Sequence, residues 1–280
     1  MSQAAEIPEA LFQEWRRQRH EELAGPDSWF GVAGLFWLEE GGNAVGSGPD
    51  CPVRLPSGPV RLGVLRVEAG GVVWQGAAAG VVVEASVGAA GGGAIRLATD
   101  RAGPPSVLHW QALSWFVIER QGRLAVRVRN REWAAGRAVD EIPAYPYDAA
   151  WRVEASWQPV EPPLALEVPA ATGELEVVTV SRRAVFALAG QELALLPMAV
   201  GPDGAFFVFR DRSSGGATYG AGRFLKVPAG EGDTLTLDFN FAYNPPCALT
   251  PFATCPLPPP ENWLPVAVAA GEKKPALAEH

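Results

Sequence analysis

Short apolar segments separated by glycine and proline recur along nearly the whole chain, and this pattern constrains the fold more than any other feature. The 31 glycines and 26 prolines are spread over the 280 residues instead of gathering in one tract. Apolar segments separated by such residues are typical of β-strands joined by turns. Few helical patterns intervene, so we expect antiparallel pairing in a mainly β fold, either a β-sandwich or barrel-like sheets.

The turns and the first helix can be placed from the sequence. Gln121-Gly122 lies between apolar segments at 115–120 and 123–129 and predicts a two-residue hairpin turn. A single N-terminal helix is predicted over residues 8–24, because Pro8 suits a first helical turn and Gly25-Pro26 stops the chain. The apolar stripe of this helix comprises Leu11, Trp15 and Leu23.

Residues 132–172 are rich in proline and aromatic side chains, which predicts a seam between two β halves. The chain is therefore interpreted as one compact domain, 1–280. The first half, 1–135, contains the helix, and the second, 136–280, contains further strands. Strands are expected in the second half at 175–182, 184–188, 192–196, 205–210, 218–227, 234–239 and 265–269.

The charge balance and the N-terminus bear on partners and location. The net charge of −8 predicts repulsion from nucleic acid and from anionic lipid. No apolar run reaches the roughly 18 residues of a membrane-spanning helix, and the charged N-terminus lacks the apolar core of a signal peptide. We therefore expect a cytoplasmic protein without nucleic-acid or membrane partners. The oligomeric state and any cofactor stay open.

Residues 211–223 form the first candidate site. Their four glycines allow the backbone to approach a ligand closely. Asp211 could act as a general base or metal ligand, and Arg223 as an anion clamp. Alternatively, Asp211 satisfies turn amides and Arg223 pairs with Asp211 or Asp238. The other polar side chains of the segment that we consider are Thr218 and Tyr219.

Residues 238–262 form the second candidate site. Asp238, Asn240 and Asn244 follow a predicted strand end, a place where sites often gather. The stretch 240–262 is long for a loop without strands or helices, and its aromatic residues, Tyr243 among them, argue against disorder. The asparagines could instead cap the backbone of this loop. Both interpretations stay open.

Cysteine and arginine chemistry offer weaker signals. The count of three cysteines argues against a disulfide scaffold, and Cys247 and Cys255 lack the further ligands of a zinc site. A nucleophilic cysteine would need a base, for which His109 is the only candidate, so buried inert thiols are the default. Arg123, Arg127, Arg129 and Arg131 are expected on one strand face, where they pair with acids or bind an anion.

A set of short motifs runs through the chain at 34–38, 42–43, 46–47, 209–211, 218–225, 237–240, 242–247, 253–259 and 261–262. Together these motifs resemble the domain-of-unknown-function family 1684. The resemblance implies an all-β bacterial or archaeal protein with a motif-rich C-terminus, and it implies no reaction. One departure is Phe241, where the family pattern leads us to expect a basic residue.

Three hypotheses about function follow. In the first, the protein is a small-molecule hydrolase. In the second, it is a non-catalytic binding module for a small anionic ligand or peptide. In the third, the C-terminal motif is purely structural. The candidate catalytic residues are Asp211, Asp238 and Tyr219. The candidate ligand-binding residues are Thr218, Arg223, Asn240, Tyr243 and Asn244. No residue is assigned to a metal.

Overall fold

The computed structural model describes residues 3–76, 78–85, 87–136, 142–173, 175–230 and 232–275. The fold is mainly β with one long N-terminal helix, α1 (Gln3–Ala24), so the predicted fold class is confirmed. Contacts divide the chain into two units: Leu23–Ala138, and Met1–Glu22 together with Val139–His280. That these units are halves of one domain stays a prediction. Residues 137–141 of the predicted seam lie outside the described residues.

The unit Leu23–Ala138 contains two sheets that share one core. Their strand orders are β1-β11-β10-β9-β6 and β3-β2-β4-β5-β8-β7, antiparallel except for the β2–β3 pair. Trp74 of one sheet meets Trp115 of the other edge to face at 5.8 Å, as in a sandwich. The elements are β1 (Val32–Trp37), β2 (Gly41–Gly46), β3 (Val53–Arg54), β4 (Gly63–Glu68), β5 (Gly71–Gly76), β6 (Val82–Glu84), β7 (Gly88–Gly91), β8 (Ala94–Leu97), β9 (Val107–Trp110), β10 (Leu113–Arg120), β11 (Arg123–Asn130) and α2 (Arg131–Gly136).

The hairpin predicted at Gln121-Gly122 is confirmed. Arg120 pairs with Arg123 across it, and the two turn residues have φ of 51° and 76°. Positive φ at both central positions is the geometry that matches the twist of two antiparallel strands.

The second unit also contains two sheets, β14-β13-β12-β18 and β15-β16-β17. Phe207, Leu225 and Leu237 come from both sheets and lie in one core. The strands are β12 (Arg152–Pro169), β13 (Leu175–Leu188), β14 (Gln191–Leu195), β15 (Ala199–Gly201), β16 (Gly204–Phe209), β17 (Arg223–Pro228) and β18 (Thr234–Asp238). The 3-10 turns are Ala149–Trp151, Phe239–Phe241, Pro246–Ala248 and Pro260–Asn262.

Two strand predictions in this unit were wrong, and one strand was not predicted. The proline-rich stretch contains β12, whose pairing with β13 breaks between Pro159 and Leu164. Prolines cannot donate to the ladder and are tolerated at such a break. The strand predicted at 218–227 begins only at Arg223. The segment 265–269 forms no strand; its Val268 N–H donates to the side chain of Asp211 instead of to a ladder.

Helix α1 begins at Gln3, five residues before Pro8, so the predicted start was late. Its predicted apolar stripe was also wrong at one position. Phe12 is 1% exposed, whereas Leu11 is 58% exposed. The Phe12 ring lies 5.8 Å from the rings of both Tyr147 and Phe241. The sheet unit on which the helix packs therefore sets its buried face. No helix in the described ranges is both long and apolar enough to cross a membrane.

Candidate functional site

Asp211 and Arg223 form a buried ion pair. Nη2 of Arg223 donates to Oδ2 of Asp211 at 2.9 Å and to the carbonyl of Val268 at 2.9 Å. Nη1 donates to the carbonyls of Ala270 and Glu272. Burial lowers the pKa of the Arg223 guanidinium, and the Asp211 carboxylate opposes that shift. Both side chains thus hold the C-terminal segment in place.

The remaining contacts of Asp211 lead to the same conclusion. Its Oδ1 accepts hydrogen bonds from the N–H groups of Ser213, at 2.7 Å, and Val268, at 3.2 Å. One bond closes the local turn, as the alternative interpretation predicts, and the other reaches a segment distant in sequence. A carboxylate engaged in this way satisfies backbone groups that would otherwise be buried without partners.

Thr218 and Tyr219 also bond within the protein. Oγ1 of the buried Thr218 lies 2.8 Å from Oγ of Ser213, and the Tyr219 hydroxyl donates to the carbonyl of Cys247 at 2.9 Å. Close by, Gly222 has φ of 94°, and a Cβ there would lie 2.4 Å from the carbonyl oxygen of Phe209. The glycine therefore permits close backbone packing.

Asn240 and Asn244 cap backbone groups. Nδ2 of Asn240 donates to the carbonyl of Asp148 at 2.9 Å, and its Oδ1 accepts from the N–H of the same residue at 3.1 Å. Nδ2 of Asn244 donates to the carbonyl of Lys273 at 2.7 Å. Of the eight candidate residues, the six discussed so far are therefore fixed by bonds within the protein. Those six are Asp211, Thr218, Tyr219, Arg223, Asn240 and Asn244.

The two remaining candidates, Asp238 and Tyr243, line a cavity of about 550 Å³ between α1 and the ends of three strands. The helix provides Pro8, Leu11 and Trp15, and none of these three was a candidate site residue. The sequence carries no local signal for this side of the site, because Leu11 and Trp15 fit the apolar stripe of a helix that packs on a sheet. The strands and the following turn provide Arg152, Lys226, Pro228, Thr236, Asp238, Phe241 and Tyr243.

Three polar groups give the cavity its electrostatic character. Oδ1 of Asp238 accepts from both nitrogens of Asn240, at 3.1 and 2.8 Å, and Oδ2 lies 3.8 Å from Nε of Arg152. Burial raises the pKa of Asp238, while the bonds from Asn240 and the charge of Arg152 oppose the shift. Lys226 is exposed at the rim and makes no ion pair with any residue the structure describes.

A cation from helix α1 contacts the ring of Tyr243. The guanidinium of Arg19 lies 4.7 Å from the centre of the Tyr243 ring. The same arginine pairs with the buried carboxylate of Glu272 at 2.5 Å, a residue that the sequence analysis did not single out. Burial raises the pKa of Tyr243 to about 12, with Arg19 opposing, so the phenol is neutral at physiological pH.

The apolar wall of the cavity centres on Phe241. Its ring meets Trp15 at 5.4 Å and Phe12 at 5.8 Å, both in edge-to-face geometry. This is the position at which the family resemblance leads us to expect a basic residue. Here the position holds an aromatic ring, so this wall of the cavity is apolar.

The weaker candidates lie elsewhere. Three of the four predicted arginines lie on β11, and their guanidinium groups stack on rings: Arg123 over Trp37 at 4.0 Å, Arg127 over Trp29 at 4.8 Å and Arg129 over Phe116 at 4.9 Å. The prediction was wrong for Arg131, which begins α2 after the strand has ended. His109 is paired with Glu84 at 2.9 Å in the unit that lacks Cys247 and Cys255. Within the described ranges, no three His, Cys, Asp or Glu residues gather in a group that could hold a metal ion.

The fold and the cavity define a mainly β protein with a helix-covered ligand-sized pocket. Residues 137–273 match the model of a family described as "Protein of unknown function (DUF1684)", and the chain belongs to this family. The chain is also similar to the solution NMR structure of an uncharacterized protein from Haloarcula marismortui, at 33% identity over 48% of this chain and 76% of that chain, with a TM-score of 0.40. A search of curated proteins gives no match.

Proposed function

We propose that this protein binds a small organic anion with an apolar body in the cavity between α1 and β17–β18. The observation that carries the proposal is the cavity itself. Its volume of about 550 Å³ falls in the range of small-molecule sites, and its lining is mostly apolar with a few polar groups. Trp15, Leu11 and Phe241 supply contact surface for the apolar body.

The charges at the rim favour an anion. Lys226 and Arg152 both line the cavity, against the single carboxylate of Asp238. Burial raises the pKa of that carboxyl group. Two cations beside one acid leave a net positive charge at the rim, which attracts a carboxylate or phosphate group even though the whole chain carries a net charge of −8.

A binding function fits the lining better than covalent chemistry. Among the described residues that line the cavity, none is a serine, cysteine or histidine. The usual nucleophile and base pairs of acyl transfer are therefore missing from this lining.

Isothermal titration calorimetry with aryl and medium-chain carboxylates, each compared with the neutral alcohol of the same body, tests this proposal. We expect the carboxylates to bind more tightly. Lys226→Gln should weaken carboxylate binding by up to about fivefold, because an exposed ion pair contributes at most about 1 kcal/mol. Lys274→Gln is the matched control, since Lys274 is exposed and does not line the cavity. Equal affinities for acid and alcohol would contradict the proposal.

A second candidate function is hydrolysis with Asp238 as general base. The observation that favours it is the raised pKa of a carboxyl group inside an apolar cavity, which is a common arrangement for acid–base catalysts. Here Asp238 would activate water, Tyr243 would position the substrate, and Asp211 and Tyr219 would support the loop without contacting the substrate.

The pH dependence separates these two functions. If the cavity binds anions, affinity rises as the pH falls through the raised pKa of Asp238, because protonation removes a repelling charge. Asp238→Asn then binds well and loses this dependence. If Asp238 is a base, turnover of chromogenic esters rises with pH and Asp238→Asn abolishes it. Titrations and ester assays between pH 4 and 8 measure both quantities.

A further inference from the structure

Cys247 and Cys255 are neighbours in the folded protein, although the seven residues between them contain one proline and no strand. The N–H of Cys247 donates to Sγ of Cys255 at 3.3 Å, and the two thiols are hydrogen-bonded to each other. Both cysteines are free thiols in this structure.

The backbone on each side of the pair is anchored. Cys247 lies in the 3-10 turn Pro246–Ala248, and its carbonyl accepts a hydrogen bond from the Tyr219 hydroxyl at 2.9 Å. The carbonyl of Cys255 accepts from the N–H of Ala171 at 2.8 Å, next to a bridge between Ala170 and Pro256. These backbone hydrogen bonds therefore fix the two thiols close together.

The two thiols have different surroundings. Cys255 is buried, whereas Cys247 is partly exposed and can meet a small reagent. The hydrogen bond from Cys255 lowers the pKa of Cys247 to about 7, helped by the Tyr219 hydroxyl and opposed by burial. A thiolate is the nucleophilic form of cysteine, so Cys247 is the more reactive of the pair.

We propose that Cys247 and Cys255 form a dithiol that reduces hydroperoxides and closes to a disulfide. In the first step, the thiolate of Cys247 attacks the O–O bond of a hydroperoxide, which leaves a sulfenic acid on Cys247 and releases hydroxide or alkoxide. In the second step, the thiol of Cys255 displaces the hydroxyl of the sulfenic acid, which forms the S–S bond and releases water. In total, two thiols lose two hydrogens and one hydroperoxide is reduced.

The experiment treats the full chain with hydrogen peroxide, alkylates the remaining thiols, and maps them by peptide mass spectrometry. Cys51 provides an internal control, because it is a buried thiol whose Sγ donates to the carbonyl of Val60 and has no cysteine neighbour among the described residues. We expect a peptide cross-linked between Cys247 and Cys255, reversed by dithiothreitol, with Cys51 still alkylated. Cys51→Ser should behave as the unaltered protein.

Two variants separate the steps. Cys255→Ala should stop at the sulfenic acid, which dimedone traps on Cys247, and Cys247→Ser should leave Cys255 unreacted. Thermal unfolding of each variant checks that it is folded. Alkylation of Cys247 by iodoacetamide should rise as the pH increases through about 7. The proposal is overturned if both thiols remain free after peroxide treatment, or if Cys51 oxidises as fast as Cys247.

Discussion

At the scale of single residues, the polar side chains of the C-terminal motif divide into two groups with different surroundings. Asp211 and Arg223 are buried and bonded to the backbone near Val268, whereas Asp238 and Tyr243 face a cavity. A buried ion pair needs further hydrogen bonds to both ions to offset the cost of their desolvation. The carbonyls and N–H groups of the C-terminal segment supply most of those bonds, and of this pair's polar side-chain atoms only Nε of Arg223 lacks a partner among the described residues.

Arg223→Met should lower the free energy of unfolding by about 3–5 kcal/mol, because it leaves the Asp211 carboxylate buried without a cation. The double variant Asp211→Asn with Arg223→Met should recover part of this loss, since it removes the unpaired charge. Urea denaturation followed by tryptophan fluorescence measures both. The matched control is Arg212→Met, in an exposed position of the same turn. A loss below about 1 kcal/mol for Arg223→Met would mean that the pair contributes little.

At the scale of elements, α1 has two faces with separate tasks. Phe12 fills the core against Tyr147 and Phe241, while Leu11 lines the open cavity. The two residues are adjacent in sequence and both are apolar, yet Phe12 is buried and Leu11 is exposed. The helix therefore contributes to stability through one face and to the proposed ligand site through the other.

Phe12→Ala should destabilise the protein by about 3–5 kcal/mol, because it removes a buried aromatic ring and leaves a cavity. Leu11→Ala, one residue earlier, should change the free energy of unfolding by less than about 0.5 kcal/mol. It should also lower the affinity for the proposed ligand. Thermal unfolding and calorimetric titration measure these effects. Equal destabilisation of the two variants would contradict the assignment of Phe12 to the buried face and Leu11 to the exposed face.

Strand β12 shows how an element is missed by local patterns. Its prolines at 159, 162 and 163 lie in the stretch that was interpreted as a seam, yet the strand runs from Arg152 to Pro169. Ladder pairing breaks between Pro159 and Leu164 and resumes on either side. The partners are β13 and β18, and their pairing outweighs the weak local propensity.

At the scale of the whole molecule, the residues that the structure describes form two main hydrophobic cores, one in each contact unit. The core of Leu23–Ala138 contains Trp115 and Leu65, and the core of the other unit contains Phe207 and Leu237. Each core is closed by two sheets of its own unit. Each unit therefore has the contacts needed for cooperative protection of its backbone.

Hydrogen exchange should show this arrangement directly. We expect the slowest-exchanging amides in two groups, one in β10 and β11 and one in β12 and β13, because these strands pair on both sides and contribute buried residues. Mass-spectrometric exchange on peptides measures the protection. A single slow group confined to one unit would show that only one core governs the stability of the chain.

The sequence by itself determined the features that depend on neighbouring residues. The alternation of apolar and turn residues predicts the β class, Gln121-Gly122 predicts its hairpin, and the N-terminal pattern predicts a helix. Each of these follows from backbone geometry within a few residues. The motif segments also indicate the family, because a family is recognised by its sequence motifs.

Only the tertiary structure decided which motif residues face a ligand-sized space. Asp211 bonds to Val268, 57 positions away, and Arg19 bonds to Glu272, 253 positions away. Residue types near Asp211 cannot reveal those partners, and without them a buried structural acid and a catalytic acid look alike. The cavity and the Cys247–Cys255 pair likewise require segments that meet only after folding. Burial and partners at long sequence separation are properties of the folded chain.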